Sequence, residues 1–142
     1  MRLNDLLAFL FTLIAALVVV SGLVLSFTGG LISQPTPACD DYSLLLFPDQ
    51  NKVDVIVGEA KLVKVRAVNA GQFSDRYEVS LIAPNWIIAK PTSFSIKAEE
   101  SKLIFLYMSP GPESEGVYNI QVNVKSACVS ETTSIEVNVL KV

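Results

Sequence analysis

Histidine is missing from all 142 residues. That removes imidazole metal sites, Ser-His-Asp nucleophiles and histidine general bases together, and Cys-His catalysis with them. Positive charge is not in excess either: 11 Lys and Arg stand against 14 Asp and Glu, which leaves no electrostatic footprint for nucleic acid. Cysteine is scarce at two, and tryptophan occurs once. No internal repeat or low-complexity run is visible. The chain is therefore expected not to be an enzyme, to need no cofactor or metal, and to act on neither nucleic acid nor a small-molecule substrate. The acidic pairs Asp40-Asp41, Glu99-Glu100 and Glu113 with Glu115 fall in turns or at strand starts, where carboxylates usually just solvate the surface. A calcium site at Glu113 and Glu115 would lack most of the six to eight or so oxygens that ion takes.

The longest absence is of charge. No charged side chain lies between Asp5 and Asp40, and residues 6–25 are almost wholly apolar. Twenty such residues at about 1.5 Å rise make roughly 30 Å of helix, the thickness of a bilayer core, and no second candidate exists. The expected layout is a transmembrane anchor at 1–27, a Gly/Pro linker at 28–38 and an ectodomain at 39–142. A cleaved secretory signal competes with this, with Ser26-x-Thr28 as a passable cleavage site, but its apolar region would span only about 7 to 15 residues. Arg2 and the α-amine precede the run and no Lys or Arg follows until Lys52, so the N-terminus is expected inside and the C-terminal domain outside. Both cysteines lie beyond the anchor, which suits an oxidising exterior. Within the anchor, Ala8, Thr12 and Ala16 recur every fourth residue, as do Gly22, Ser26 and Gly30. Such stripes let a second helix approach closely.

From residue 42 on, apolar and polar residues alternate, and turn signals recur every eight to twelve residues, the pattern of an all-β sandwich. Strands are expected near 42–47, 53–57, 62–69, 77–83, 93–98, 102–108, 117–125 and 132–140. Tyr118, Ile120, Val122 and Val124 should face inward with Asn119, Gln121 and Asn123 outward, and Ile135, Val137 and Val139 repeat the pattern. A domain of this size holds one core without metal.

The runs VKVRAVNAGQFSDRYEVSL, PNWIIAKP, FSIKAEESKLIFLYMSP and EGVYNIQVNVKS carry a resemblance to the Ig-like modules of archaeal and bacterial surface proteins. These include the cell-adhesion-related domain and the module associated with alpha-galactosidases. The matching elements are an Asn-x-Gly turn (Asn69, Gly71), a tryptophan after the next strand (Trp86), and Gly116 with Tyr118 opening a late strand. The resemblance implies a Greek-key sandwich of about seven or eight strands and no chemistry. In that topology Cys39, before the first strand, and Cys128, after the strand at 117–125, reach the same pole and are expected to bridge. It also implies that Trp86 plugs one end of the sandwich rather than stacking on a sugar, and that Tyr118 bonds back to an earlier turn.

One strand is apolar on both faces. Leu103, Phe105 and Tyr107 alternate with Ile104, Leu106 and Met108, so one triplet should point outward. Either Lys64, Arg66 and Lys97 lay their stems over it or it is a protein-binding face; Ile104, Leu106 and Met108 are taken as that candidate interface. The reading that follows is an envelope protein tethered in the lipid bilayer, archaeal in style. It would display one Ig-like module to other envelope or membrane proteins, or to a second copy of itself. Two alternatives stand beside it: a pilus- or archaellum-related filament or stator subunit, and a carbohydrate-binding accessory module.

Overall fold

The chain divides into two units, Met1–Thr36 and Pro37–Val142, and the computed structural model describes residues 38–141. The expected anchor, the linker up to Pro37, and the helix-packing positions Ala8, Thr12, Ala16, Gly22, Ser26 and Gly30 lie outside the described residues. Among the described residues no helix is long and apolar enough to cross a membrane.

A single 3-10 turn, Cys39–Asp41, precedes nine strands: β1 Leu44–Pro48, β2 Lys52–Ile56, β3 Lys61–Asn69, β4 Asp75–Ile82, β5 Ile87–Lys90, β6 Ser93–Ile96, β7 Ser101–Met108, β8 Gly116–Lys125 and β9 Ser130–Leu140. They form a four-stranded sheet in the order β1-β3-β7-β5 and a five-stranded sheet in the order β2-β9-β8-β4-β6. The chain changes sheet at every connection from β1 to β8, among them the short links from β1 to β2 and from β5 to β6. Pro48 closes the first of these segments and Pro91 breaks the second, since a proline cannot donate to a ladder. β2 runs parallel to β9 while the other strand pairs are antiparallel.

Period-two alternation supplies the core. Val63, Val65 and Ala67 of β3 face Ile120, Val122, Val124, Ile135, Val137 and Val139 of β8 and β9 across the sandwich, all buried. Eight of the nine strands fall where alternation places them, within two residues. The exception is β5. Its four residues sit between Pro84 and Pro91 with one fully buried side chain, Ile87, too short a run for a period to show.

The two cysteines meet, with Cα atoms 5.0 Å apart and a bridge closing a separation of 89 residues. At the same end of the sandwich, Asn69 is wholly buried. Its amide donates to the carbonyls of Phe73 (2.8 Å) and Ile96 (3.0 Å) and its oxygen accepts from Gly71 N–H at 3.0 Å. Gly71 needs its missing Cβ, because one built there would come within 2.7 Å of the Asp41 carbonyl and 2.9 Å of Tyr42 Cα. Gly116 starts β8 at φ +139°, a conformation open to glycine at little steric cost.

Tyr77 is a second buried polar group, and its hydroxyl has no hydrogen-bond partner among the described residues. Burial, followed by the nearby Asp75 carboxylate and Tyr42, pushes its phenol up to about 12. A folded-state value above the ordinary one of about 10 means that its stabilising contribution is full below pH 10 and is lost as pH rises through 12. Tyr77→Phe is expected to melt at or above the native temperature at neutral pH and to flatten that alkaline fall. Thermal melts from neutral pH into this range test it, and a drop of several degrees at neutral pH would contradict it.

Candidate interaction face

The two outer faces of the sandwich differ in kind. On the five-stranded sheet, charges pair: Lys52 Nζ reaches Glu136 Oε1 at 2.7 Å, Lys125 lies 4.0 Å from Glu78, and Asn138 donates to Asp54 at 3.0 Å. The Glu136 hydrogen bond, then its charge, raises the pKa of Lys52. Asn119, Gln121, Asn123 and Ser134 lie among these pairs, with Asn123 donating to Thr132 at 2.8 Å, and Ile82, Val117 and Leu140 are the exposed apolar residues of this face. It is a mainly polar sheet face.

The outer face of the four-stranded sheet is apolar and cationic. The strand order and register place three outward residues of β7, Leu103, Phe105 and Tyr107, as a central ridge. On one side Leu62, Lys64 and Arg66 of β3 sit opposite Tyr107, Phe105 and Leu103; on the other, Ile88 and Lys90 of β5 sit opposite Tyr107 and Phe105. Beyond β3, Phe47 of β1 pairs with Arg66, whose guanidinium lies 5.5 Å above its ring. Tyr107 is 46% exposed and Leu103 40%, whereas Phe105 between them is half-buried. The middle of the ridge is therefore its most covered part. A hollow of about 320 Å³ opens at the Tyr107 end, lined by Leu62, Trp86, Ile88, Tyr107 and Met108 among others. One of about 270 Å³ lies at the Leu103 end, lined by Phe47, Asp49, Lys64, Arg66 and Leu103.

This arrangement corrects the expected interface. Ile104, Leu106 and Met108 are at most 1% exposed and belong to the core. Ile104 pairs with Val65 and Leu106 with Val63, so β3, whose alternation is unambiguous, dictates which side of β7 turns inward. The outward triplet is the other one. Of the cations expected to cover it, Lys64 and Arg66 are there, while Lys97 follows β6 in the other sheet. Lys90 stands on the face instead, and it was missed because β5 was missed. The acids of β1, β3, β5 and β7 number none, a signal the sequence held once those four strands were known to share a sheet.

Trp86 is half-buried and meets the Tyr118 ring edge-on, centroids 5.2 Å apart at 85°. It is thus a partial plug that also walls the hollow, and the perpendicular pair does not offer the coplanar strip a sugar-binding platform requires. Among the described residues no group of three or more His, Cys, Asp or Glu side chains is gathered closely enough to hold a metal ion. Glu113 and Glu115 stay apart from other carboxylates in this sense.

No protein-family model matches the sequence, and no curated protein matches it. Solved structures match the fold. The PapD-like domain 7 of human CEP192 is 12% identical with a TM-score of 0.52, covering 80% of this chain and 94% of that one. A family 123 glycoside hydrolase from Clostridium perfringens matches at 12% identity and TM-score 0.59, over 70% of this chain and 28% of the hydrolase. A chain of the CsuC–CsuE chaperone–tip adhesion subunit pre-assembly complex of Acinetobacter baumannii pili matches at 16% and 0.51, over 70% of this chain and 57% of its own length. The chain thus spans well under two thirds of the last two. What they share is an Ig-like, PapD-like β-sandwich, and fold alone does not carry function.

Proposed function

We propose that this protein is a single-pass membrane protein of the cell envelope. Its N-terminus is cytoplasmic, and residues 39–142 are displayed outside as an Ig-like association module in a larger surface or membrane assembly, in the style of archaeal surface modules. It works by holding other proteins, not by catalysis. The observation that carries this reading is the asymmetry of the sandwich: one outer face is mainly polar and pairs Lys52 and Lys125 with acids, and the other leaves an apolar ridge and three cations open to solvent. Exposed apolar surface rimmed by polar residues marks interaction sites. The uncharged run at 6–25 supports the tether, and the Cys39–Cys128 bridge supports an oxidising compartment.

The filament or stator subunit is the second reading, favoured by the layout of one apolar segment before a β-sandwich. The likeness to a pilus pre-assembly complex is compatible with it, at the level of fold.

Crosslinking the full-length protein in its own membrane, followed by purification in mild detergent, tests the proposal. The expected result is a species larger than the monomer, held by a second copy or by another envelope protein. A bare monomer after crosslinking would overturn it.

A further inference from the structure

We infer that the outer face of the four-stranded sheet takes an acidic amphipathic helix from a partner protein, laid along β7. This rests on the reading of the chain as an association module and names what the module holds. Charge is the first argument. The four strands of this sheet contain five cations and no carboxylate, whereas the five strands of the other contain three cations, Lys52, Arg76 and Lys125, and five acids, Asp54, Asp75, Glu78, Glu131 and Glu136. Lys61 turns to the Asp54 carbonyl and Lys102 lies by Phe94, which leaves Lys64, Arg66 and Lys90 on the outer face. The rim carboxylate Asp49 accepts from the Lys64 backbone N–H at 3.1 Å, and neither ion pair within 4.0 Å among the described residues involves these three cations.

Shape is the second argument. The ridge from Leu103 to Tyr107 is about 13 Å long at the usual rise of a strand, and the cations of β3 and β5 lie on opposite sides of it, two strand spacings or about 9.5 Å apart. An α-helix is about 10 Å wide and covers that ridge in roughly nine residues. Its apolar stripe would rest on Leu103, Phe105 and Tyr107, two side chains about two turns apart would enter the hollows at either end, and carboxylates on both flanks would meet Lys64 and Arg66 on one side and Lys90 on the other. Helix on sheet is a standard way to bury such a face. A second copy of the same face fits poorly, because cations would oppose cations. An anionic bilayer asks for a protruding apolar centre, whereas here the central Phe105 is the least exposed residue of the ridge.

The test uses the full chain in phosphatidylcholine nanodiscs, with Trp86 as reporter, since it is the sole tryptophan and walls one hollow. The probe is a synthetic 18-residue helix without tryptophan, carrying leucine at every third or fourth position and glutamate on both flanks. Saturable change in Trp86 emission is expected with this peptide, weakening with added salt, and much less with a lysine-flanked copy. K64E combined with K90E should weaken binding about tenfold or more, while N119E on the opposite face should leave it within about twofold. The inference falls if the acidic peptide does not bind, if the lysine copy binds equally, if the charge reversals have no effect in a variant whose melting temperature is unchanged, or if phosphatidylglycerol vesicles alone produce the shift. It is separable from the broader reading. A K64E/K90E chain that still crosslinks to its neighbour in native membranes overturns the face and leaves the module. A wild-type chain with no neighbour at all overturns the module.

Discussion

Cys128→Ala is expected to cost the sandwich about 4 to 5 kcal/mol, because the bridge to Cys39 closes 89 residues and holds that much loop entropy out of the unfolded chain. That approaches the whole stability of a small domain. For a domain of this length the melting temperature should fall by roughly 20 °C or more. The loss should be shared by the wild type once reduced, and reductant should not lower the variant further. The bridge joins the turn before β1 to the loop between β8 and β9, two segments with no sheet ladder between them. Once the bond is gone, the segment before β1 is tied by the backbone hydrogen bonds that Asp41 and Ser43 accept from Gln72 and Ala70. A variant melting within about 5 °C of the wild type would show that this end of the domain is held by its hydrogen bonds alone.

Asn69→Ala should cost about 3 kcal/mol or more. The side chain is fully buried, and its removal strands two carbonyls, those of Phe73 and Ile96, and the Gly71 N–H. Each unsatisfied buried group costs about 1 to 3 kcal/mol. The consequence reaches past β3, because the Phe73 bond fixes the turn into β4 and the Ile96 bond ties the end of β6 to the opposite sheet. Gly71, held in place by the same amide, packs against the 41–43 backbone. Urea denaturation of Asn69→Ala beside Asn119→Ala separates the two roles of asparagine. The exposed position should change stability by no more than about 0.5 kcal/mol. Equal midpoints would contradict the network.

The fold was legible where one face of a strand is apolar and the other is not. β3, β8 and β9 each alternate cleanly, and from them the inward side of the whole sandwich follows. The bridge was legible as well, once the topology implied by resemblance brought Cys39 and Cys128 to one pole. β7 was not, for a physical reason: both its faces are apolar, so period alone cannot choose between Ile104 and Phe105, and only the cross-strand partners on β3 decide. β5 was hidden by brevity between two prolines. Its loss cost the site a flank, since Ile88 and Lys90 complete the face that Leu62, Lys64 and Tyr107 begin. The absence of acid across β1, β3, β5 and β7 is scattered through 65 residues of sequence, from Leu44 to Met108, and becomes a pattern only when the strand order gathers it.

The central claim is that the association runs through the outer face of the four-stranded sheet. A photo-crosslinking amino acid at Tyr107, compared in native membranes with one at Gln121 on the opposite face, tests it most directly. The account predicts a discrete protein adduct from position 107, lost when Lys64 and Lys90 are reversed in charge, and none from position 121. Adducts from position 121 alone, or equally from both, would contradict it.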